Sequence, residues 1–250
     1  MEEIKLLSLV IPSYKQEKTI VSNILELNKA LHSLTVPYEI IVVIDGYVDK
    51  TRERLKKVRR KHIRILGYKE NLGKGHAVKY GMLRAKGDVI GFIDAGMDID
   101  PTGISMLLNH MLWYDADIIV GSKLHPVSQV EYPFFRKVLS WGYRTINRIL
   151  FGLKIRDTQV GIKLYKRKVV EDVFPKLLVK QFAFDVETLA AAHSLGYKKI
   201  YDAPIKIKFK QGSINSKSYW GIVWSMLWDT AAVFYRIRFL NYYNNLNRKK

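Results

Sequence analysis

The sequence predicts an α/β protein with a mostly parallel central sheet flanked by helices. Short apolar runs alternate with segments whose apolar residues recur every three or four positions, and this happens four times in the first hundred residues. Several of the runs stop at an acid or a glycine, as strands do where an α/β sheet presents its ligand-binding edge. The 250 residues, 48% of them hydrophobic, suffice for one sizeable core.

The first half of the chain supplies four of the predicted strands. Apolar runs predict strands at 6–11, 38–44, 63–66 and 89–93, connected by right-handed crossovers. Steps of four and three from Ile20 to Leu34 indicate one helix face, whereas the lysine- and arginine-rich segment 50–62 predicts a solvated helix. The glycine-rich turn 71–75 opens a further helix that runs to about residue 84.

The second half is less regular but continues the alternation. A helix to about Tyr114 leads into a strand at 118–120, and the loop-like segment 124–132 has a composition suited to closing over a ligand. A helix at 134–151 carries arginines along its length, and the polar run 157–161 precedes another strand. A helix that opens at 182–187 and runs to Leu195 follows, and Asp185 has an alternative role as its N-cap.

Three carboxylates follow the strand 89–93, namely Asp94, Asp98 and Asp100. Oxygen ligands at the carboxyl end of a buried strand suit a hard divalent cation, so we predict a metal site there with Asp94 as its first ligand. Asp98 or Asp100 has an alternative role as the N-cap of a helix, because Pro101 opens a helix at its first position.

Two common nucleotide-binding motifs are excluded by spacing. The turn Gly73-Lys74-Gly75 lacks the spacing G-x-x-x-x-G-K-[ST] of a nucleotide-hydrolysing phosphate loop. No G-x-G-x-x-G follows the first strand, which argues against a dinucleotide-binding domain.

The net charge of the chain limits the classes of partner to be considered. Lysine and arginine outnumber the acids by 42 to 23, giving a net charge of +19 that attracts nucleic acid, anionic lipid or phosphorylated substrates. No helix-turn-helix, RNA-recognition or zinc motif is present, which argues against a nucleic-acid partner. The absence of cysteine excludes disulfides and thiolate metal sites and is natural in a reducing compartment.

The C-terminal segment differs in kind from the rest. From Tyr219 to Tyr235 it is apolar and aromatic with Asp229 as its only charge, and it is shorter than the ~20 residues that cross a bilayer. Arginines and lysines follow it, so we predict that 218–250 forms a membrane-interfacial helix appended to a domain of residues 1–217. The alternatives are packing on the domain core, a homo-oligomer contact, or a membrane-protein partner.

The motifs, taken in order, resemble those of family 2 glycosyltransferases, and in particular the polyprenyl-phosphate and dolichyl-phosphate glycosyltransferases. They are Val10-Ile11-Pro12-Ser13-Tyr14, the run 40–46, Asn71-Leu72-Gly73-Lys74-Gly75, Asp94-Ala95, Gly121-Ser122, Asp157-Thr158-Gln159 with Gly161, and Phe184-Asp185-Val186-Glu187. The resemblance covers roughly residues 6–217 and implies a nucleotide-sugar-binding fold of the glycosyltransferase A type. The last two runs look more like the glucosyl branch than the mannosyl branch, which favours UDP-glucose as donor.

The resemblance also implies a set of site residues. Those implied to bind the nucleotide sugar are Pro12, Tyr14, Glu17, Asp45, Asn71, Gly73, Lys74, Asp94, Ala95, Asp157, Gln159, Lys163 and Glu187. Among them, Asp45 would accept a hydrogen bond from the base, and the family places Asp185 or Glu187 near the sugar hydroxyls. The catalytic set implied in this way is Asp94, Asp98, Arg136 and Asp185.

The implied metal is Mg²⁺ or Mn²⁺, held against the donor diphosphate by the family's Asp-x-Asp motif. Asp94 matches the first acid of that motif, but the second acid is replaced by Gly96. Asp98, two residues further on, is the candidate replacement ligand, since a loop can bring a displaced carboxylate to the same ion.

The implied acceptor is a polyprenyl or dolichyl phosphate, whose phosphate oxygen is already an anionic nucleophile. The site then needs cations that aim this phosphate rather than a strong base. Arg136 matches the family's phosphate-binding arginine, and Lys123 and Lys217 complete the predicted set. Gln211 and Ile214 depart from the family's closing loop, which leaves closure at Lys217 open.

The resulting hypothesis is an inverting, metal-dependent hexosyltransferase, peripheral on the cytoplasmic face of a membrane. A GDP-mannose donor and a non-lipid acceptor are the alternatives within the same class. A basic nucleic-acid-binding protein is the alternative from a different class. A family member that binds without turnover is the remaining one, prompted by Gly96.

Overall fold

Seven strands form one mixed sheet in the computed structural model, which describes residues 3–58, 60–125, 134–181, 183–207 and 219–245, without the side chains of 134–140, 219, 220 and 222. The strands are β1 Leu7–Ser13, β2 Tyr38–Asp45, β3 Ile63–Tyr68, β4 Val89–Ile93, β5 Ile118–Ser122, β6 Ile162–Lys166 and β7 Ile200–Pro204. Their order is β3-β2-β1-β4-β6-β5-β7, and only β6 runs antiparallel to its neighbours. The prediction of a mostly parallel sheet is confirmed.

Helices connect the strands and cover the sheet. They are α1 Ile20–His32, α2 Thr51–Leu55, α3 Lys74–Met82, α4 Ile104–Trp113, α5 Phe134–Phe151, α6 Arg167–Val173, α7 Phe184–Ser194, α8 Tyr219–Arg238 and α9 Tyr242–Asn245. The central strands β1, β2 and β4 are buried almost throughout, as continuous apolar strands covered on both faces should be. The inner face of α1 consists of the predicted residues Ile20, Ile24, Leu27 and Leu31.

The reversed direction of β6 positions the site. Ile162 at its start pairs with Ile93 at the end of β4, so the loop that enters β6 meets the loop that leaves β4. The polar run 157–161 therefore lies at the same sheet edge as the carboxyl ends of the parallel strands. This juxtaposition follows from strand pairing between distant segments.

Three elements differ from the sequence-based prediction. The helix predicted at 50–62 is limited to α2, because Leu55 is its one buried apolar side chain and the lysines and arginines that follow repel one another on a helix surface. Strand β7 and helix α6 were not predicted. β7 contains Asp202 and Pro204, which mask a strand signal, and it takes the edge position where a proline is tolerated.

One face of α8 packs on the α/β domain. Thr230 and Val233 are buried, and the hydroxyls of Tyr143 on α5 and Thr230 are hydrogen-bonded at 2.8 Å. The opposite face of α8 exposes Trp224 and Trp228, which are 71% and 77% exposed. None of the helices in the described ranges is both long and apolar enough to cross a membrane.

Candidate active site

A cleft of about 420 Å³ opens at the carboxyl ends of β1, β2 and β4. This is where open α/β sheets bind ligands, because the loops leaving neighbouring parallel strands diverge there. The residues that line it are Pro12, Ser13, Tyr14, Gln16, Asp45, Asn71, Gly73, Lys74, Asp94, Ala95, Gly96 and Gln181. Eight of the predicted nucleotide-sugar residues are thus brought together, namely Pro12, Tyr14, Asp45, Asn71, Gly73, Lys74, Asp94 and Ala95.

Asp94 takes its position from the strand pairing of β4 with β6. Its main-chain N–H donates to the carbonyl of Gly161 at 2.9 Å, and its side chain lies over that glycine. A Cβ on Gly161 would lie 2.5 Å from Cγ and 3.1 Å from Cβ of Asp94. The glycine of the 157–161 run is therefore required because Asp94 occupies the space of its side chain.

Four charged side chains of alternating sign connect β6 to the cleft. The ammonium group of Lys163 donates to Asp185 at the start of α7 and to the carbonyl of Val160 at 2.8 Å. Lys74 Nζ lies 3.7 Å from Asp185 and 2.8 Å from Asp94. Lys74 thus links the two candidate catalytic acids, and of the four groups Asp94 is the one most open to solvent, its side chain being 45% exposed.

The ionisation of these lysines reflects their surroundings. Burial alone would lower the pKa of Lys74, but the carboxylates of Asp185 and Asp94 outweigh burial and raise that pKa above the ordinary lysine value. Burial lowers the pKa of Lys163, which is completely buried, although Asp185 opposes the shift. Lys74 is therefore a firmly held cation at the cleft wall.

The loop after β4 brings Asp98 back toward position 96. Met97 has a φ of 51°, in the left-handed region, and this reverses the chain between Gly96 and Asp98. A Cβ on Gly96 would lie 3.7 and 3.8 Å from the two carboxylate oxygens of Asp98. An aspartate at 96 would place its own oxygens roughly 2.4 Å from that Cβ by ordinary bond lengths. The carboxylate of Asp98 therefore lies next to the position that an acid at 96 would take.

This arrangement fits a hard divalent ion. Asp94 lines the cleft and Asp98 lies beside Gly96, which also lines it. Their carboxylate oxygens are the ligands that Mg²⁺ and Mn²⁺ prefer. Among the described residues, no group of three or more histidine and acidic side chains converges into a complete metal cage. Magnesium sites with one or two protein carboxylates take their remaining ligands from water and substrate phosphates, and this site matches that type.

Asp45 organises the glycine-rich turn as well as the cleft wall. Its carboxylate accepts hydrogen bonds from the main-chain N–H of Leu72 at 2.7 Å and of Gly73 at 3.0 Å, and from the side chain of Asn71 at 3.2 Å. Gly73 has a φ of 99°, which lets the turn pass directly into α3 and aim Lys74 at Asp94. An acid ends β2 because it holds this turn together.

The 157–161 run and Lys123 do not line the cleft but adjoin it, since Gly161 contacts Asp94 and Lys123 lies near Asp157. The carboxylate of Asp157 accepts from the main-chain N–H of Gln159 at 3.2 Å. Burial raises the pKa of Asp157, and the nearby charges of Lys123 and Lys163 oppose that shift. The buried Nε2 of Gln159 has no hydrogen-bond partner among the described residues, which leaves a donor for a ligand.

Two predicted residues lie outside the region in which side chains are described. Arg136 belongs to α5, but its side chain is not described, and Lys217 lies wholly outside the described residues. Their roles in binding the acceptor phosphate stay predictions.

Five of the predicted nucleotide-sugar residues do not line the cleft, namely Glu17, Asp157, Gln159, Lys163 and Glu187. Lys163 is completely buried, and the positions of Glu17 and Glu187 follow from their hydrogen bonds. The carboxylate of Glu17 accepts a hydrogen bond from the main-chain N–H of Lys50 at 3.0 Å, next to the start of α2. Glu187 is completely buried, and its carboxylate accepts from Val179 N–H, Arg236 and Tyr243. The prediction that Glu187 contacts the sugar is at odds with this position, because two residues along a helix turn a side chain to nearly the opposite side.

The structure adds residues that the sequence analysis did not single out. Ser13, Gln16 and Gln181 line the cleft, and the hydroxyl of Ser13 is buried without a hydrogen-bond partner in the described ranges. Ser13 directly follows the motif residue Pro12, so its place at the end of β1 was a usable signal. The outcome for Asp100 is the capping alternative, since its carboxylate accepts from Thr102 N–H at 3.0 Å.

Comparison with known proteins gives a family match and similar curated proteins. The family model described as glycosyl transferase family 2 matches residues 8–174. The chain is 34% identical over 205 residues to the dolichyl-phosphate beta-glucosyltransferase of Drosophila melanogaster, covering 76% of this chain and 63% of that protein. It is 31% identical over 211 residues to the Saccharomyces cerevisiae protein of the same name, covering 74% and 62%. The chain thus matches less than two thirds of the length of these relatives.

A solved structure shares the fold. Glucosyl-3-phosphoglycerate synthase from Mycobacterium tuberculosis, solved in complex with Mn²⁺, UDP and glucosyl-3-phosphoglycerate, superimposes with a TM-score of 0.67 at 17% identity, covering 92% of this chain and 79% of that one. The predicted glycosyltransferase A-type fold is confirmed. With a family match over more than half of its length and a sheet-edge cleft in the expected place, the chain belongs to glycosyl transferase family 2.

Proposed function

We propose that this protein transfers glucose from UDP-glucose to a polyprenyl or dolichyl phosphate, with inversion at the anomeric carbon, at a membrane surface. The observation that carries the proposal is the linked pair of acids, Asp94 and Asp185, which Lys74 bridges at the edge of the cleft. A donor diphosphate brings negative charge to a place where a fixed cation and a metal-binding carboxylate already stand. The names of the relatives from fly and yeast favour a glucosyl donor and a dolichyl-phosphate acceptor.

The donor half of the reaction is assigned to the cleft. Tyr14 and Pro12 form an apolar wall for the nucleobase. The carboxylate of Asp45 accepts three hydrogen bonds from the glycine-rich turn, which leaves about one lone pair for a nucleobase N–H. Asp94 and Asp98 would hold Mg²⁺ or Mn²⁺, which neutralises the diphosphate as it leaves. Lys74, which pairs with Asp94 at 2.8 Å, would bind the same diphosphate.

The acceptor half of the reaction needs no general base. An oxygen of the acceptor phosphate attacks the anomeric carbon, the bond from that carbon to the donor diphosphate breaks, and UDP leaves with the electron pair. Since the nucleophile is already an anion, no proton has to be removed, and the protein's task is to aim it. Lys123, which lies near Asp157, is one proposed phosphate ligand, and Arg136 and Lys217 are the others.

The membrane part of the proposal rests on the outer face of α8. Trp224, Trp228 and Tyr235 are exposed at helical spacing, and Trp141 and Ile149 on α5 are exposed as well. Aromatic side chains beside basic ones are typical of helices that lie in the headgroup region. A long lipid acceptor requires this placement, because its phosphate reaches the cleft only from the bilayer surface.

The test is calorimetric titration with UDP-glucose and GDP-mannose, each with and without Mn²⁺. We expect Mn²⁺-dependent binding of UDP-glucose, weakened by about tenfold or more in Asp98→Asn because a charged ligand is lost. The double variant Gly96→Asp/Asp98→Asn should regain binding, since an acid at 96 would lie next to the carboxylate position of Asp98. Preference for GDP-mannose would overturn the donor assignment, and binding of neither would favour a non-catalytic family member.

A further inference from the structure

Helix α7 carries two buried carboxylates that face different parts of the molecule. Asp185 points to Lys163 and Lys74, at the cleft, whereas Glu187 points to α8 and α9. Residues two apart on a helix lie about 200° apart around its axis, which explains the division. Helix α7 therefore stands between the donor cleft and the C-terminal helices.

The carboxylate of Glu187 accepts hydrogen bonds from the C-terminal helices and from the segment that precedes α7. One carboxylate oxygen accepts from the guanidinium of Arg236 at 3.1 Å and from the hydroxyl of Tyr243 at 2.6 Å. The other accepts from the main-chain N–H of Leu178 at 3.0 Å and of Val179 at 2.8 Å. A completely buried charge depends on such partners, because an unpaired carboxylate in the interior is strongly unfavourable.

The segment 177–181, which Glu187 holds by these amides, forms a wall of the glycine-rich turn. The carbonyl of Lys180 accepts from Gly75 N–H at 2.8 Å, and a Cβ on Gly73 would lie 2.5 Å from that same carbonyl oxygen. Gln181, at the end of the segment, lines the cleft itself. Lys74, between the two glycines, thus depends on this segment for its position.

We propose that Glu187 is a positioning residue that makes donor binding depend on the seating of α8 and α9. Contacts run without a break from Tyr243 and Arg236 through Glu187 to the segment 177–181, and from there to the turn that carries Lys74. When the C-terminal helices are seated, Arg236 and Tyr243 pair with the carboxylate of Glu187 and the glycine-rich turn is fixed. When they are not, the buried carboxylate loses two of its partners and the segment loosens. The inference rests on the proposed function for the identity of the donor.

The test compares Tyr243→Phe with Tyr242→Phe in the full-length protein. Both remove one phenolic hydroxyl from α9, but only the hydroxyl of Tyr243 bonds to Glu187. We expect Tyr243→Phe to speed amide hydrogen exchange at Leu178, Val179 and Gly75 by about tenfold, because a hydrogen bond to a charged group is lost. The KM for UDP-glucose should rise several-fold, with kcat and the acceptor KM near wild type.

The outcomes separate positioning from mere stability. Faster exchange with an unchanged donor KM would refute the coupling, as would unchanged exchange. Equal effects in Tyr242→Phe would also refute it. Exchange is measured without UDP-glucose. A chain that binds no UDP-glucose would refute the proposed function, while the exchange pattern would still show whether α9 fixes the segment 177–181. Arg236→Lys provides a second variant, because it keeps the positive charge but moves the hydrogen-bonding nitrogen. It should give the same faster amide exchange and the same rise in the KM for UDP-glucose.

Discussion

Replacing Gly161 by alanine should remove activity while leaving the fold intact. The new Cβ would lie 2.5 Å from Cγ of Asp94, and one carboxylate oxygen is closer still, so the Asp94 side chain has to move by about 1 Å to restore normal contact. Backbone strain does not contribute, because Gly161 is not among the glycines with positive φ. The perturbation is therefore confined to the position of one carboxylate.

The magnitude follows from what Asp94 holds. Its carboxylate pairs with Lys74 at 2.8 Å and is the first proposed metal ligand, so a shift of this size misplaces both cationic partners of the diphosphate. A misplacement of about 1 Å can cost about a hundredfold in rate, which corresponds to about 2.7 kcal/mol of transition-state stabilisation. The stability cost should be near the low end of overpacking, about 1 kcal/mol, since Asp94 is partly in solvent and can swing aside.

The assay is kcat/KM for transfer from UDP-glucose to a polyprenyl phosphate in detergent, with thermal melting of the same preparations. Gly103→Ala is the matched control, because nothing lies within 4 Å of a Cβ at that glycine. Activity of Gly161→Ala within about threefold of wild type would refute the reasoning. So would an equal loss in Gly103→Ala, which would show that the effect is not specific to Asp94.

Three further predictions address the membrane face, a buried acid and the glycine-rich turn. Replacing Trp224 and Trp228 together by serine should weaken binding to anionic vesicles by about tenfold or more without changing the melting temperature, and unchanged cosedimentation would exclude the interfacial role. Burial raises the pKa of Asp202 from 3.8 to about 6, so its favourable contribution is complete below pH ~4 and is lost as the pH rises through 6. Relative to Asp202→Asn, the wild type should lose at most about 3 kcal/mol of unfolding free energy across that range, and parallel pH profiles in denaturant titrations would contradict this. Asp45→Asn should cost about 1–3 kcal/mol, because two main-chain amides lose a charged acceptor, and faster exchange of those amides by NMR is the specific sign of that loss.

Local sequence patterns were sufficient for six of the seven strands and for one part of the site. Short apolar runs that alternate with helical segments indicate buried strands, and the residue after such a run lies at the sheet edge. Asp45 and Asp94 could therefore be placed at that edge from the order of the residues alone. Asp98 could also be identified as the replacement for the acid missing at Gly96, because the two residues are only two positions apart in one loop.

Pairing between distant segments decided the rest. Nothing in the run 157–161 announces that β6 is antiparallel, yet that reversal puts Gly161 under Asp94 and Lys163 against Asp185. The orientation of Glu187 could not be predicted from sequence either. A short acidic motif does not show which face of its helix meets the substrate and which meets the interior. The order of residues along the chain shows which strand ends carry acids, whereas packing selects the acids that face the cleft, because burial depends on neighbours far away in the chain.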